Sequence, residues 1–382
     1  MTPVRPDMTL TRRAALASAA ALPFARAYAA DPVVLGVSGP LTGPNAQYGA
    51  QWKQGFDLAL EEVGGTVGKD KRPLIYHFED SQSDPRQSVA IAQKFVADPR
   101  IVMELGDFSS PASMAASPIY QRAGLVQFGF TNSHPDFTKT GDCMWSNSLS
   151  QTDEQPELAT LLKDLGIKRP AVIHLNTDWG RTSRDILVKS AKADGLDVTA
   201  VEGFLPDEKD FRPTLVRVRD SNPDGIALIA YYSDAALIAR QVRQQGLKQT
   251  IAAVSSVYSP KLIELGGDAV EGIYTQSAFS PEDPRPEVRA FVDKFRAKYG
   301  RDPDSFNVGA YDTMILAHRL IDEYGPDRKA IKDGLAKVSF PSVVYGPDTR
   351  FDPNTRRVSR PRFVRLVVRG GKFVVWDGQR RA

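Results

Sequence analysis

Cysteine is almost absent: Cys143 is the one cysteine among 382 residues. An intrachain disulfide and a four-cysteine or Cys/His zinc site are thereby excluded. No cysteine sits near the N-terminus to carry a lipid, and Cys143 is expected to be a structural thiol. Histidine is sparse, with His77, His134, His174 and His318 scattered singly. No metal site is therefore expected, and His77 and His174 fall in strand patterns as core or edge residues. Beyond residue 30 there is no run of eighteen apolar residues, so no membrane span is expected. An excess of one charge is missing as well. Residues 1–30 carry four arginines and one aspartate, which leaves 45 basic and 45 acidic residues in the remainder. That balance gives no reason to invoke nucleic acid or anionic lipid as a partner. Enzyme signatures are also lacking. Gly36-Val37-Ser38-Gly39-Pro40 does not have the spacing of a nucleophile elbow. The stretch 64–69 fails as a phosphate loop, and no dinucleotide fingerprint follows the strand at 33–37.

What is present begins with an export signal. Arg12-Arg13 precedes a short apolar centre at 14–24, and Ala27-Tyr28-Ala29-Ala30 closes it. Residues 1–30 read as a secretory signal, which places the mature chain in the periplasm. The arginine pair suggests the twin-arginine route, although a Sec signal can also hold two arginines.

From residue 32 onward, strand and helix patterns alternate. Strands are expected at 33–37, 74–78, 101–105 and 125–130, with helices at 50–63 and 114–122 and one opened by Asp84-Pro85. The rhythm repeats with helices at 156–165, 181–193, 211–220 and 235–245. Strands at 171–175, 198–204, 226–232 and 251–254 separate them. Such alternation implies an α/β chain with parallel-dominated sheets and helices on both faces. The two runs, 32–150 and 151–274, suggest two Rossmann-like lobes. Helices at 287–299 and 311–324 follow. A hairpin at 363–376 is expected to add antiparallel strands to a sheet edge.

The stretch 106–113, Gly-Asp-Phe-Ser-Ser-Pro-Ala-Ser, joins a buried strand to a helix. Ser110 suits an N-cap and Pro111 the first helical position. The amides of Ala112 and Ser113 would then form an anion cradle, unless Ser110 only caps its own helix. Other loops at the carboxyl ends of strands are rich in aromatic and hydroxyl residues. They carry Tyr48, Phe108, Ser109, Thr131, Ser133, Trp179, Tyr231, Tyr232, Ser255 and Phe279. In open α/β sheets ligands bind at these ends. Aromatic walls with a few hydroxyls suit a small, partly apolar carboxylate.

Several segments in order carry a resemblance. They are Gly39-Pro40-Leu41-Thr42-Gly43 with Tyr48-Gly49, Glu79-Asp80 with Asp84-Pro85, 106–120, Lys209-Asp210-Phe211, and Asp312 in its helix. The chain resembles the periplasmic solute-binding proteins of ABC transporters for branched-chain amino acids and related compounds, over nearly its whole length after residue 30. The resemblance implies the type I periplasmic binding fold, with two lobes joined by three crossing strands that close like a hinge. It implies lobe 1 over 31–150 with 278–342 and lobe 2 over 151–277 with 343–382. A monomer without cofactor or metal is implied, one that is not an enzyme and that hands a small solute to an inner-membrane permease.

By position, Ser110, Thr131 and Ser133 would bind the ligand carboxylate, with Ser109 beside them. Tyr48 and Trp179 would face each other across the cleft, Phe279 would line it, and Tyr231 and Tyr232 would sit on the second lobe. Where amino-acid binders of this type place a glutamate for the ligand ammonium, this chain has Ser255. A buried ammonium without an anionic partner is costly. Either Asp107, Asp178 or Asp234 substitutes, or the ligand is an aromatic acid, another organic acid or an amide without an α-amino group. Asp107, so close to a bound carboxylate, should face away or meet a ligand donor. Two readings of other classes stand beside this one. One is an exported serine hydrolase using Ser109 or Ser110 with His134 as base, and the other is a ligand-sensing module presented to a receptor.

Overall fold

The computed structural model describes residues 31–358 and 362–378. The expected export signal, residues 1–30, lies outside the described residues. The first sheet comprises β1 (Val33–Gly39), β2 (Thr66–Val67), β3 (Arg72–Asp80), β4 (Ile101–Gly106), β5 (Val126–Phe128) and β6 (Met144–Trp145). They run in the order β2-β3-β1-β4-β5-β6. All neighbours are parallel except β2, which returns antiparallel along β3. Every residue of β1 and β4 is buried, because helices cover both faces of the sheet. Those helices are α1 (Ala46–Glu62), α2 (Pro85–Ala97) and α3 (Ser110–Ala123).

The chain then crosses to a second unit with α4 (Gln151–Asp164), β7 (Pro170–Leu175), α5 (Asp178–Ala193), β8 (Ala200–Phe204), α6 (Arg212–Asp220) and β9 (Gly225–Ile229). It continues through α7 (Tyr232–Gln244), β10 (Thr250–Ala253), α8 (Pro260–Gly266) and β11 (Tyr274–Ser277). Helices α9 (Pro286–Tyr299), α10 (Ser305–Tyr324) and α11 (Arg328–Leu335) return to the first lobe. There the Asn307 amide donates to the Gln51 carbonyl, 2.9 Å away, tying α10 to α1. Two short ladders follow, β12 (Phe340–Ser342) with β13 (Gly346–Thr349) and β14 (Phe351–Asp352) with β15 (Arg357–Val358). The hairpin of β16 (Val364–Arg369) and β17 (Lys372–Val375) completes the second sheet, in the order β17-β16-β11-β10-β9-β7-β8. As the sequence predicts, this hairpin joins antiparallel at the edge strand β11.

For three of the helices that begin earlier than their apolar periodicity indicates, the cap explains why. Ser150 accepts the Thr152 amide and starts α4 five residues before Pro156, which sits inside the helix. Thr177 accepts the Gly180 amide and starts α5 at Asp178. Asp304 and Asn307 form a reciprocal capping box that starts α10 at Ser305. Residues 346–358, beyond the expected lobe boundary at 342/343, pack against the first sheet. The Phe351 ring meets Phe128 at 5.8 Å and Trp145 at 5.6 Å.

Candidate functional site

A cavity of about 100 Å³ lies between the two lobes. All three crossings floor it: Asn147, Ser148 and Leu149 from the first, Ser277 to Phe279 from the second, Val344 and Tyr345 from the third. The crossings are tied to one another and to their neighbours. The Tyr345 hydroxyl donates to the Asn147 carbonyl at 2.6 Å. The Gln276 amide donates to the Glu154 carbonyl at 2.6 Å, joining the second crossing to α4. Asp312 of α10 accepts from the Ser342 hydroxyl and from the Val343 and Val344 amides of the third crossing.

Six of the ten expected residues line this cavity: Thr131, Ser133, Trp179, Tyr231, Ser255 and Phe279. The other four do not reach its wall. Tyr48 is fully buried, stacks on Phe108 at 3.7 Å, and donates its hydroxyl to the Ser256 carbonyl at 2.7 Å. Tyr232 donates to the Pro44 carbonyl at 2.6 Å. Both tyrosines therefore bridge the two lobes. Tyr48 and Trp179 do not face each other across open space, because Tyr231 stands between them. Its ring centre lies 6.4 Å from that of Tyr48 and 5.0 Å from that of Trp179.

Two glycines explain how the aromatic residues reach their places. A Cβ on Gly49 would lie 1.9 Å from the Pro40 carbonyl oxygen, and one on Gly180 would lie 1.9 Å from that of Leu175. In each lobe the start of a helix therefore packs directly on the chain leaving the preceding strand, and the neighbouring aromatic, Tyr48 or Trp179, is carried toward the opposite lobe.

The helix start at 106–113 differs from expectation by one residue. Ser109, not Ser110, is the cap: its backbone is extended and its hydroxyl accepts the Ala112 amide at 3.4 Å. Ser110 is the first residue of α3 and is buried. Asp107 faces away from the cleft, accepting the Ser38 hydroxyl at 3.1 Å, the Ser88 hydroxyl at 2.9 Å and the Ser109 amide at 3.2 Å. Burial raises its pKa, and hydrogen bonds from Ser81, Ser88, Ser109 and Ser38 oppose that shift. Asp107 thus shapes the loop that presents Phe108.

His134 is engaged as well. Its Nδ1 accepts the Asp136 amide at 3.1 Å, and its Nε2 lies 3.1 Å from the Thr182 hydroxyl and 3.3 Å from Asp178. Burial lowers its pKa, with Asp178 acting in the opposite direction. Both ring nitrogens are thus committed away from Ser109 and Ser110.

The periplasmic binding protein family model matches residues 32–372. The chain belongs to the periplasmic binding protein family. It is 31% identical over 361 residues to Leu/Ile/Val-binding protein homolog 1 of Brucella suis biovar 1, covering 91% of this chain and 94% of the relative. The leucine-binding protein LivK of Thermotoga maritima superposes with a TM-score of 0.84 at 25% identity, over 90% of this chain and 97% of the other. A solute-binding protein of an R. palustris ABC transporter, solved with 4-hydroxybenzoate, gives a TM-score of 0.82 at 23% identity, over 91% and 96%. That last likeness shows the fold alone. As a periplasmic binding protein, the chain has the type I arrangement of two lobes over parallel-dominated sheets.

Within this family member, none of the three acids expected to stand in for a glutamate lines the cavity, whereas Glu154 does. Its Oε1 accepts the Ser255 amide at 2.7 Å. Burial raises its pKa and the Ser255 hydrogen bonds lower it. A helix start placed at Pro156 leaves Glu154 in a loop. With α4 beginning at Gln151, Glu154 heads the buried stripe of Leu158, Leu161 and Leu162, and an acid at the head of an apolar stripe is the signal that marks it. Asn147 and Tyr345 also line the cavity, from crossing segments without a periodic pattern.

Proposed function

We propose that this cleft binds one small carboxylate-bearing solute, a branched-chain amino acid or a related compound, and that hinged closure delivers it to an inner-membrane ABC permease. One observation carries this reading. The Thr131 hydroxyl is buried at the cavity wall and has no hydrogen-bond partner among the described residues. A buried donor left unpaired costs roughly 1–3 kcal/mol, which a ligand oxygen would recover. Ser133 adds a further hydroxyl on the same lobe for an anionic group. Tyr231, Trp179 and Phe279 supply apolar walls, while Tyr48 and Tyr232 hold the lobes together around the solute.

The names of relatives point to leucine, isoleucine and valine, and one structural neighbour holds 4-hydroxybenzoate. Both ligand types carry the carboxylate this reading requires. Lobe 1 is taken as 31–150 with 278–342 and lobe 2 as 151–277 with 343–382, save that 346–358 pack on the first. The protein acts as an exported monomer, by the twin-arginine or the Sec route, without catalysis. Supporting the last point, the one histidine proposed as a base has both nitrogens engaged elsewhere.

A thermal-shift screen against amino acids, aromatic acids and their amides tests the reading. A ligand at a hundred times its Kd should stabilise the protein by about 2.7 kcal/mol. If no small carboxylate raises the melting temperature, the proposal fails.

A further inference from the structure

The charges around the cavity are unequal. Among the described residues that line it there are two carboxylates, Glu154 and Asp312, and no lysine, arginine or histidine. The two acids differ in what they already hold. Asp312 accepts three donors from the third crossing. Glu154 accepts from Ser255 alone and forms no ion pair among the described residues, although it is only 2% exposed. The Asn147 Oδ1 is a buried acceptor without a partner, also at the cavity wall. The unpaired donor, Thr131 Oγ1, belongs to the first lobe.

An unpaired hydroxyl donor thus stands on the first-lobe wall, while two carboxylates face the cavity from α4 and α10. A monoanionic acid entering this site would meet two carboxylates and no cation, at a depth where water screens little. A zwitterion would meet hydroxyls at its carboxylate and Glu154 at its ammonium. Resting on the function proposed above and sharpening it, we infer that Glu154 is the counter-charge for a protonated amine on the ligand. It would take that role from α4, in place of the glutamate absent at Ser255. The solute class is then amino acids, not aromatic or aliphatic acids lacking nitrogen. Ser255 becomes a positioning residue, because its hydrogen bonding holds the Glu154 carboxylate at the cavity wall.

Calorimetry tests this with a panel of apolar and aromatic L-amino acids, each paired with the same acid lacking the amino group, and with 4-hydroxybenzoate. The wild-type protein should bind the amino member of its best pair about a hundredfold more tightly than the deaminated one, the scale of a buried charge pair losing one partner. Glu154→Gln keeps the side-chain volume and should erase most of that ratio, by weakening the amino member and strengthening the deaminated acid, which then meets one carboxylate fewer. Equal binding of both members by the wild type overturns the inference without any variant, and so does a preference that survives in Glu154→Gln. Tight 4-hydroxybenzoate binding with no amino acid bound also overturns it, yet leaves the carboxylate-binding function standing. Binding of no panel member overturns the function and the inference together.

Discussion

The Trp179 indole nitrogen donates to the Ser133 hydroxyl at 2.9 Å, across the cleft. Both residues line the cavity, so this one bond couples the state of the hinge to the site itself. Trp179→Phe keeps an aromatic ring against Tyr231 and removes the donor. A neutral hydrogen bond contributes about 1 kcal/mol, so the variant should bind ligand roughly fivefold more weakly. Because the bond forms only when the lobes meet, most of the loss should appear as faster dissociation in stopped-flow fluorescence. An unchanged dissociation rate would show that the bond does not hold the lobes together.

Tyr48 and Tyr232 should act differently, since neither reaches the cavity wall. Each donates to a backbone carbonyl of the other lobe, Tyr48 to Ser256 and Tyr232 to Pro44. Replacing both by phenylalanine removes two cross-lobe bonds, together about 2 kcal/mol, and leaves the ligand contacts in place. The unliganded variant should sample more open forms, seen as a larger radius of gyration in solution scattering. The difference from wild type should shrink when ligand is added. Identical scattering of variant and wild type without ligand would assign these tyrosines to packing alone.

Adjacent serines at the start of α3 should differ in what they contribute to stability. Ser109 caps the helix through the Ala112 amide, whereas Ser110 lies inside it. Ser109→Ala should therefore cost about 0.5–1 kcal/mol of stability in urea titrations, the lower part of the usual range because the bond is long. Ser110→Ala should leave stability nearly unchanged, and ligand binding as well, because Ser110 does not reach the cavity wall. A reversal of the two effects would restore Ser110 as the cap.

The same pair shows what a sequence can and cannot carry. Ser109-Ser110-Pro111 announces a helix start, but either hydroxyl satisfies the cap preference, and only the backbone angles at Ser109 decide between them. Thr131, Ser133, Trp179, Tyr231, Ser255 and Phe279 are legible because strand ends in an alternating α/β chain converge by topology. Whether an aromatic such as Tyr48 lines a cleft or bridges it depends on how closely the lobes approach, and no local pattern encodes that distance. Glu154 stays hidden behind Pro156, which reads as a first-turn residue and is tolerated inside α4.

Asp312 gives the chain a pH-dependent stability with a definite sign. Burial pushes its carboxyl up from 3.8 to about 6, against hydrogen bonds from Ser342, Val343 and Val344. Between those values the folded chain keeps a proton that the unfolded chain has released. The favourable contribution is therefore complete below 3.8 and is lost as pH rises through about 6. A shift of this size corresponds to a change on the order of 2–3 kcal/mol. In Asp312→Asn this contribution no longer depends on pH, while the other buried acids titrate as they do in wild type. The stability difference between wild type and variant, from urea titrations at several pH values between roughly 4 and 7, should thus move toward the variant as pH rises. Parallel stability curves over that range would mean that Asp312 stays ionised in the folded chain, held by the three donors of the third crossing.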